Sequence, residues 1–315
     1  MHGWIILYKP LGLGSTQAVA AVKRNLRSAG FGKVKVGHGG TLDPLATGVL
    51  PIALGEATKL CGCMLDASKT YDFTISFGIE TSGLDAEGQI VATSDHRPTM
   101  RELEAVLPKF TGQIEQIPPA YSAIKINGKR AYDLARAGEV IEMKSRVVTV
   151  HDISVSHAER VSTAVTGVPE SFIQRDDLLN TVTLTADVSK GTYIRSLARD
   201  IAHALGTVGH VSMLRRTRAG PFALESAISL DKLNAFGQEA VQEDIILPIE
   251  AGLDDIPALD LSPEQVRAVQ QGRVLTGIAM KDGLHWARGA DLRPIALVEN
   301  IDGTLKTVRG FNLTP

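Results

Sequence analysis

The chain has 315 residues and a mass of 33.7 kDa, more than one average domain, which predicts two domains or one large domain with an appendage. With 44% hydrophobic and 22% charged residues and a mean hydropathy near zero, the composition is that of a soluble globular protein and excludes disordered, collagen-like and coiled-coil classes. The formal net charge of −2 hides an asymmetry: residues 1–66 hold seven Lys or Arg against three Asp or Glu, residues 187–220 six against two, and residues 221–315 eight against fourteen. Local basic stretches of this kind can bind phosphate backbones, although solvated helix faces give the same pattern.

The N-terminus, Met1-His2-Gly3-Trp4-Ile5-Ile6-Leu7-Tyr8-Lys9-Pro10, lacks a basic leader region and has a short apolar run, so it does not read as a signal peptide. The uncharged stretch 44–55 is short and broken by two prolines and two glycines, so no membrane span is expected and the chain is placed in the cytosol. Ile5, Leu7 and their neighbours predict a first strand, ended by Lys9-Pro10 and the turn residues Gly12 and Gly14. Thr16 can cap a helix in which Val19, Val22 and Leu26 share a face, with Gly30 as its stop and Lys23, Arg24 and Arg27 outward. The segment 36–51 has the composition of a long, largely uncharged loop. Its ionisable groups are His38 and Asp43; Gly37-x-Gly39-Gly40 suits a phosphate-cradling nest, and Asp43 before Pro44 suits a turn.

Cys61 and Cys63, one residue apart, suit neither an intrachain disulfide nor a metal motif and read as inert thiols. Tyr71, Phe73, Ile75 and Phe77 alternate with polar residues as a half-buried strand does, and Val182, Leu184, Ala186 and Val188 repeat the pattern. Thr99 and Glu102 form a capping box for a helix that reads through to Gly112, and 196–205 is a second amphipathic helix closed by Gly206. The stretch from Ala158 to Asn180 is a long insertion without a motif. Residues 251–257 have the composition of a linker, beyond which Ser262-Pro263-Glu264-Gln265 opens a short helix followed by short strands. Strands and helices mix without a βαβ period. The expected fold is therefore α+β, with a largely antiparallel central sheet flanked by helices over 1–252 and a small β-rich domain over 257–315.

Several segments occur together in an order that resembles the TruB family, the pseudouridine synthases that modify the uridine at position 55 in the T-loop of tRNA. They are Lys9-Pro10, Gly37-His38-Gly39-Gly40-Thr41-Leu42-Asp43-Pro44-Leu45-Ala46-Thr47-Gly48, Lys69-Thr70-Tyr71, Ile117-Pro118-Pro119-Ala120-Tyr121-Ser122-Ala123, Ser189-Lys190-Gly191-Thr192-Tyr193-Ile194-Arg195-Ser196-Leu197 and Leu214-Arg215-Arg216-Thr217. The resemblance implies that Asp43 is the catalytic aspartate, that Tyr71 stacks on the target base and that Arg195 pairs with Asp43. It also implies that Tyr193 and Leu214 line the uracil pocket, that His38 lies beside the flipped nucleotide, and that Lys9 supports the site. The family usually has Asp directly before that lysine, where this chain has Tyr8, and the spacing Gly12 to Gly14 also departs from the usual pattern. The implied fold is a pseudouridine synthase domain with a PUA-like C-terminal domain. The implied partner is tRNA, through its T-loop and T-stem, with no metal, no cofactor, no obligate protein partner and a monomeric state.

The implied chemistry needs these residue types. The bond from ribose C1′ to uracil N1 breaks, the base turns, and C5 joins C1′, a change without a redox step or group donor. One carboxylate beside C1′ and C2′ can stabilise positive character on the sugar, attack it or remove a sugar proton. A carboxylate that must stay ionised in a water-poor pocket needs a fixed cation, and the planar fork of arginine suits both oxygens better than lysine does. Extruding the base costs roughly a few kcal/mol of unstacking, and stacking on an aromatic ring returns about 1–3 kcal/mol. Taken alone, Tyr71 and Leu214 read more readily as core residues and His38 as a loop hydrogen-bonder. Lys23, Arg24, Arg27, Lys33, Lys35, Lys125, Lys129, Arg130, Arg215, Arg216 and Arg218 are candidates for phosphate contacts. The C-terminal segment is short and acidic, so its removal is expected to weaken tRNA binding without abolishing chemistry. Two other readings stand beside this one: a guide-RNA-dependent relative of the same superfamily, and an RNA-folding factor that would not need Asp43, Tyr71 and Arg195 together.

Overall fold

The almost wholly apolar run Gly3–Lys9 forms a strand covered on both faces in the computed structural model of the chain, which describes residues 1–160, 178–235 and 245–313. The greater part of the 158–180 insertion thus lies outside the described residues. The chain packs as two compact units: Met1–Pro44, Gly48–Asp66 and Arg218–Pro315 make the first, Leu45–Thr47 and Ala67–Thr217 the second.

In the first unit Gly3–Lys9 pairs antiparallel with Ala46–Leu54, from Gly3 opposite Leu54 to Lys9 opposite Gly48. The short strand Val36–His38 pairs with the same partner, Val36 opposite Leu54 and His38 opposite Ile52. The segment whose composition reads as one long loop is therefore two strands with a short connection between them. Gly48 and Pro51 are the residues that disguise the second strand, which is buried almost throughout and so shows no alternation. The helix Ser15–Ser28 follows the first strand; its cap is Gly14, whose amide donates to Gln17 Oε1 at 2.8 Å, and not Thr16. Gly30, at φ +84°, ends it as expected, with the Phe31 amide bonded back to Leu26 O.

Trp4 anchors the core of this unit. It is fully buried, its ring lies 5.2 Å from that of Phe222, and its indole N–H donates to Ile249 O at 3.2 Å. Residues 251–257, whose composition suggests a linker, instead form part of this core: Leu253 is buried, and a side chain at Gly252 would meet the Trp4 ring at 2.6 Å. The C-terminal residues form a separate five-stranded sheet in the order Ala258–Asp260, Gly283–Arg288, Pro294–Ile301, Thr304–Gly310, Leu275–Thr276. The helix Pro263–Gln270, with the expected Ser262 and Gln265 capping box, contributes Val269 to a small core with Leu261, Ala287, Val298 and Leu305. Trp286, Leu297 and Phe311 from this region join the Trp4 cluster. Removing 257–315 therefore opens a hydrophobic core as well as removing surface.

The second unit is built on the strand order Gly209–Ala219, Lys69–Phe77, Leu179–Val188, Arg146–Arg160, Gly112–Gln116. The two alternating strands expected from the sequence are neighbours and antiparallel, with Ala186 opposite Tyr71, Leu184 opposite Phe73 and Val182 opposite Ile75. Their apolar faces pack against Ile194, Leu197, Ala198 and Ile201 of the helix Ile194–Ala204, which ends before Gly206 as expected. The capping box of Thr99 and Glu102 also forms, but the helix Met100–Val106 tightens into a 3₁₀ turn at Leu107–Phe110 and does not continue to Gly112. Pro108 explains the early end, because it has no N–H to donate to the preceding turn. The fold is α+β, as expected.

The Trp4 contact gives a direct test of the first core. Gly252→Ala forces a methyl into a rigid ring and should destabilise the protein by about 1–3 kcal/mol in urea unfolding, without changing the slope of the transition.

Candidate functional site

Asp43 occupies the connection between Val36–His38 and Ala46–Leu54, and its neighbours in sequence are fixed through their backbones. The Leu42 amide donates to Ser15 Oγ at 2.8 Å, and the same hydroxyl donates back to Leu42 O at 2.9 Å. On the other side, Pro44 O accepts from the Gly12 amide at 2.8 Å and from Lys9 Nζ at 3.3 Å. Pro44 has no N–H, so every backbone polar atom of the two residues flanking Asp43 has a partner. Asp43 itself is half-buried.

Lys9 is fully buried, an unusual place for an ammonium group. It donates to Leu13 O at 2.7 Å and Pro10 O at 3.0 Å as well as to Pro44 O, so carbonyls replace the water it has lost. The strand carries Lys9 inward, and the turn through Gly12 folds the acceptors over it. Lys9 thereby ties the end of the first strand to the loop that carries Asp43. Tyr8, where the family usually has Asp, is half-buried and takes part through its backbone, its amide donating to Ile228 O at 2.8 Å.

His38 is half-buried at the end of its strand and accepts from the Gly40 amide through Nδ1 at 3.3 Å. The Gly39 amide donates to Pro51 O at 2.9 Å. Two amides of the glycine cluster are thus consumed within the chain, which removes the phosphate-nest reading of Gly37 to Gly40. Gly39 has a steric reason to be glycine, since a Cβ there would lie 2.6 Å from Met64 Cβ. His38, Thr16, Lys35, Thr58 and Cys61 line an open groove of about 420 Å³. Burial pushes the Cys61 and Cys63 thiols up, in keeping with inert thiols. Among the described residues, no group of three or more His, Cys, Asp or Glu is placed to hold a metal ion.

The second unit carries the other expected residues. Tyr71 and Leu214 are half-buried, stand on neighbouring strands and pack against the same hydrophobic cluster. Tyr193 precedes the helix Ile194–Ala204; its amide donates to Gln116 Oε1 at 2.7 Å and its ring lies 5.4 Å from the Arg146 guanidinium. Arg195, 6% exposed, is the second residue of that helix. Its Nη1 donates to Gly83 O at 2.8 Å and to Asp85 Oδ2 at 3.1 Å, and its Nη2 donates to Tyr121 O at 2.9 Å. Ser196 Oγ adds a bond to Ile117 O at 2.8 Å. One helix start therefore secures two loops, the turn at Gly83 to Asp85 and the segment Ile117 to Tyr121. Asp85 and Arg146 were not singled out by the sequence. Asp85 sits in an ordinary turn composition, and only its closeness in space to Arg195 marks it.

The basic residues divide by environment. Lys23, Arg24, Arg27, Lys33, Lys35, Lys125, Lys129 and Arg130 are exposed, as phosphate contacts require. Arg215 is held by Asp72 at 2.6 Å and Arg218 by Gly220 O at 3.1 Å. Arg216 is 1% exposed, which removes it from the phosphate-contact group.

The acceptors of Arg195 are divided between the two arms of its planar fork, Gly83 O and Asp85 Oδ2 on Nη1 and Tyr121 O on Nη2, a spread that one compact ammonium on a shorter side chain does not reproduce. Arg195→Lys should cost about 1–3 kcal/mol of stability, because it leaves at least one buried acceptor unpaired; urea unfolding of the two proteins side by side reads the difference.

With this geometry in place, comparison with known proteins gives a consistent result. Residues 27–194 match the model of the TruB family pseudouridylate synthase N-terminal domain, and residues 195–254 match that of the tRNA pseudouridylate synthase B C-terminal domain. The chain is 65% identical to the tRNA pseudouridine synthase B of Novosphingobium aromaticivorans, over 99% of this chain and 98% of that protein. It is 54% identical to the protein of the same name from Zymomonas mobilis, over 99% and 96%. Among solved structures, it is similar to a chain of a Cbf5-Nop10-Gar1 complex, with a TM-score of 0.71 at 27% identity over 99% of this chain and 84% of that one. A chain of an H/ACA RNP bound to a substrate RNA containing 2′-deoxyuridine gives a TM-score of 0.70 at 26% identity, over 99% and 85%. The chain belongs to the TruB family of pseudouridylate synthases.

Proposed function

We propose that this protein isomerises the uridine at position 55 in the T-loop of tRNA to pseudouridine, with Asp43 as the catalytic carboxylate. The observation that carries this reading is the 65% identity, over nearly the full length of both chains, to a protein named tRNA pseudouridine synthase B. The fixed backbone on both sides of Asp43 supports its assignment, because a carboxylate that acts on one sugar carbon must be held in place before the substrate arrives.

In this reading the T-loop base is extruded and stacks on Tyr71, with Tyr193 and Leu214 lining the pocket and His38 beside the flipped nucleotide. The bond from C1′ to N1 breaks while the Asp43 carboxylate faces positive character on the sugar, and the turned base reattaches through C5. The proton displaced from C5 goes to solvent and N1 takes one up, so the atoms balance without any donor. Arg195 supplies the fixed positive charge for Asp43 and also holds its own loops together. Lys9 positions the Asp43 loop.

No cofactor and no obligate protein partner are invoked. The catalytic region is 1–252, and 257–315 is a PUA-like domain that adds contacts to the tRNA arm. A monomer working in the cytoplasm, where tRNA is processed, fits these assignments; among the described residues no helix is long and apolar enough to cross a membrane. The much higher identity to the named bacterial proteins than to the ribonucleoprotein chains favours a stand-alone tRNA enzyme over a guide-dependent one.

The test uses unmodified tRNA labelled with tritium at uracil C5, incubated with the purified protein alone and with Asp43→Asn. Stoichiometric release of tritium to water by the wild type, with none from the variant, is the expected outcome. A folded wild type that binds tRNA and releases no tritium would favour the RNA-folding reading instead.

A further inference from the structure

We infer that Ser15 is a positioning residue for the reaction, acting through Leu42 on Asp43; this rests on the assignment of Asp43 as the catalytic carboxylate. Ser15 is 4% exposed and lies 28 positions before Asp43 in sequence, on the first turn of a helix whose buried face is mostly apolar. Helix-initiating serines commonly cap their own helix, but here that role belongs to Gly14 with Gln17, which leaves the Ser15 hydroxyl for another task. It bonds twice to one residue, accepting from Leu42 N at 2.8 Å and donating to Leu42 O at 2.9 Å.

A hydroxyl is the smallest side chain that can serve a backbone amide and carbonyl of the same residue at once. With both atoms held, the peptide planes on either side of Leu42 lose their freedom to rotate, and the second of these planes ends at Asp43 N. Lys9 and Gly12 hold the far side, through Pro44 O. Ser15 holds the near side, at Leu42, so its loss loosens the backbone that leads directly into Asp43. The consequence for a carboxylate that must meet a single sugar carbon is a lower rate of the chemical step, since misplacement by about 1 Å costs up to about a hundred-fold. Binding of tRNA, which draws on many phosphate and base contacts, should change little.

The experiment measures single-turnover tritium release and tRNA dissociation constants for the wild type, Ser15→Ala, Ser15→Thr and Asn25→Ala. Asn25 lies on the same helix and its side-chain amide donates to Asn234 Oδ1 at 3.0 Å, so its variant reports the effect of losing a hydrogen bond elsewhere in that helix. Ser15→Ala should slow the chemical step by at least about ten-fold while tRNA affinity stays within about two-fold. Ser15→Thr, which keeps the hydroxyl, should restore most of the rate, and Asn25→Ala should lower thermal stability with the rate unchanged. If Ser15→Ala does not fold, Ser15→Cys takes its place: the thiol keeps the volume but bonds weakly, and a slowed step at unchanged affinity is again expected. A folded Ser15→Ala or Ser15→Cys with the wild-type rate would overturn the inference, as would a loss that tracks tRNA affinity or is equalled by Asn25→Ala. A wild type that releases no tritium would instead overturn the assignment on which the inference rests.

Discussion

The feature on which the rest of the site depends is the burial of one lysine among main-chain carbonyls. Lys9 gives up all contact with water and replaces it with oxygens from the turn that follows it and from the loop that carries Asp43. Such an arrangement is tolerated only if the acceptors stay where they are, because an ammonium left without them would face a desolvation cost of several kcal/mol. The end of the first strand, the Gly12 turn and the Asp43 loop therefore form one mechanical piece. Ser15 closes it from the other side, and Asp43 lies between the two anchors.

The second unit uses the same device with a different cation. Arg195 enters from the start of a buried helix and ties down two loops through backbone carbonyls and Asp85. In both units a long cationic side chain serves less as a surface charge than as a fastener for irregular backbone, whose polar groups would otherwise be unsatisfied. Loops held in this way keep the unusual geometry that irregular backbone allows while losing the mobility that loops normally have.

Much of this architecture was legible in the residues. The alternation from Tyr71 to Phe77 and from Val182 to Val188 identifies two strands that prove to be direct neighbours, and the capping boxes at Thr99 and Ser262 mark real helix starts. What stayed hidden depended on distant partners. Ala46–Leu54 contains the turn-forming Gly48 and Pro51 and has no alternation, because both its faces are covered. Residues 251–257 have a linker's composition, and only the Trp4 ring against Gly252 reveals them as core. The family resemblance pointed to Asp43, Tyr71 and Arg195, but it said nothing of Asp85 or of the Ser15 hydroxyl. Asp85 meets Arg195 only through a pairing 110 positions apart, and Ser15 acts on backbone atoms, a contact that leaves no signature in the residue that supplies it.

The central claim is that the Asp43 loop is held in place before any RNA binds. Amide hydrogen exchange in the free protein tests it most directly, because the Leu42 and Gly12 amides are the two donors in the clamp. Both should exchange as slowly as the amides of the strand Gly3–Lys9, since Gly12 opens only with the buried Lys9 cluster at Pro44 and Leu42 only when it parts from the buried Ser15 hydroxyl. Exchange of Leu42 and Gly12 at the rate of an unstructured chain, in protein whose strand amides remain protected, would show that the loop is free and contradict the account.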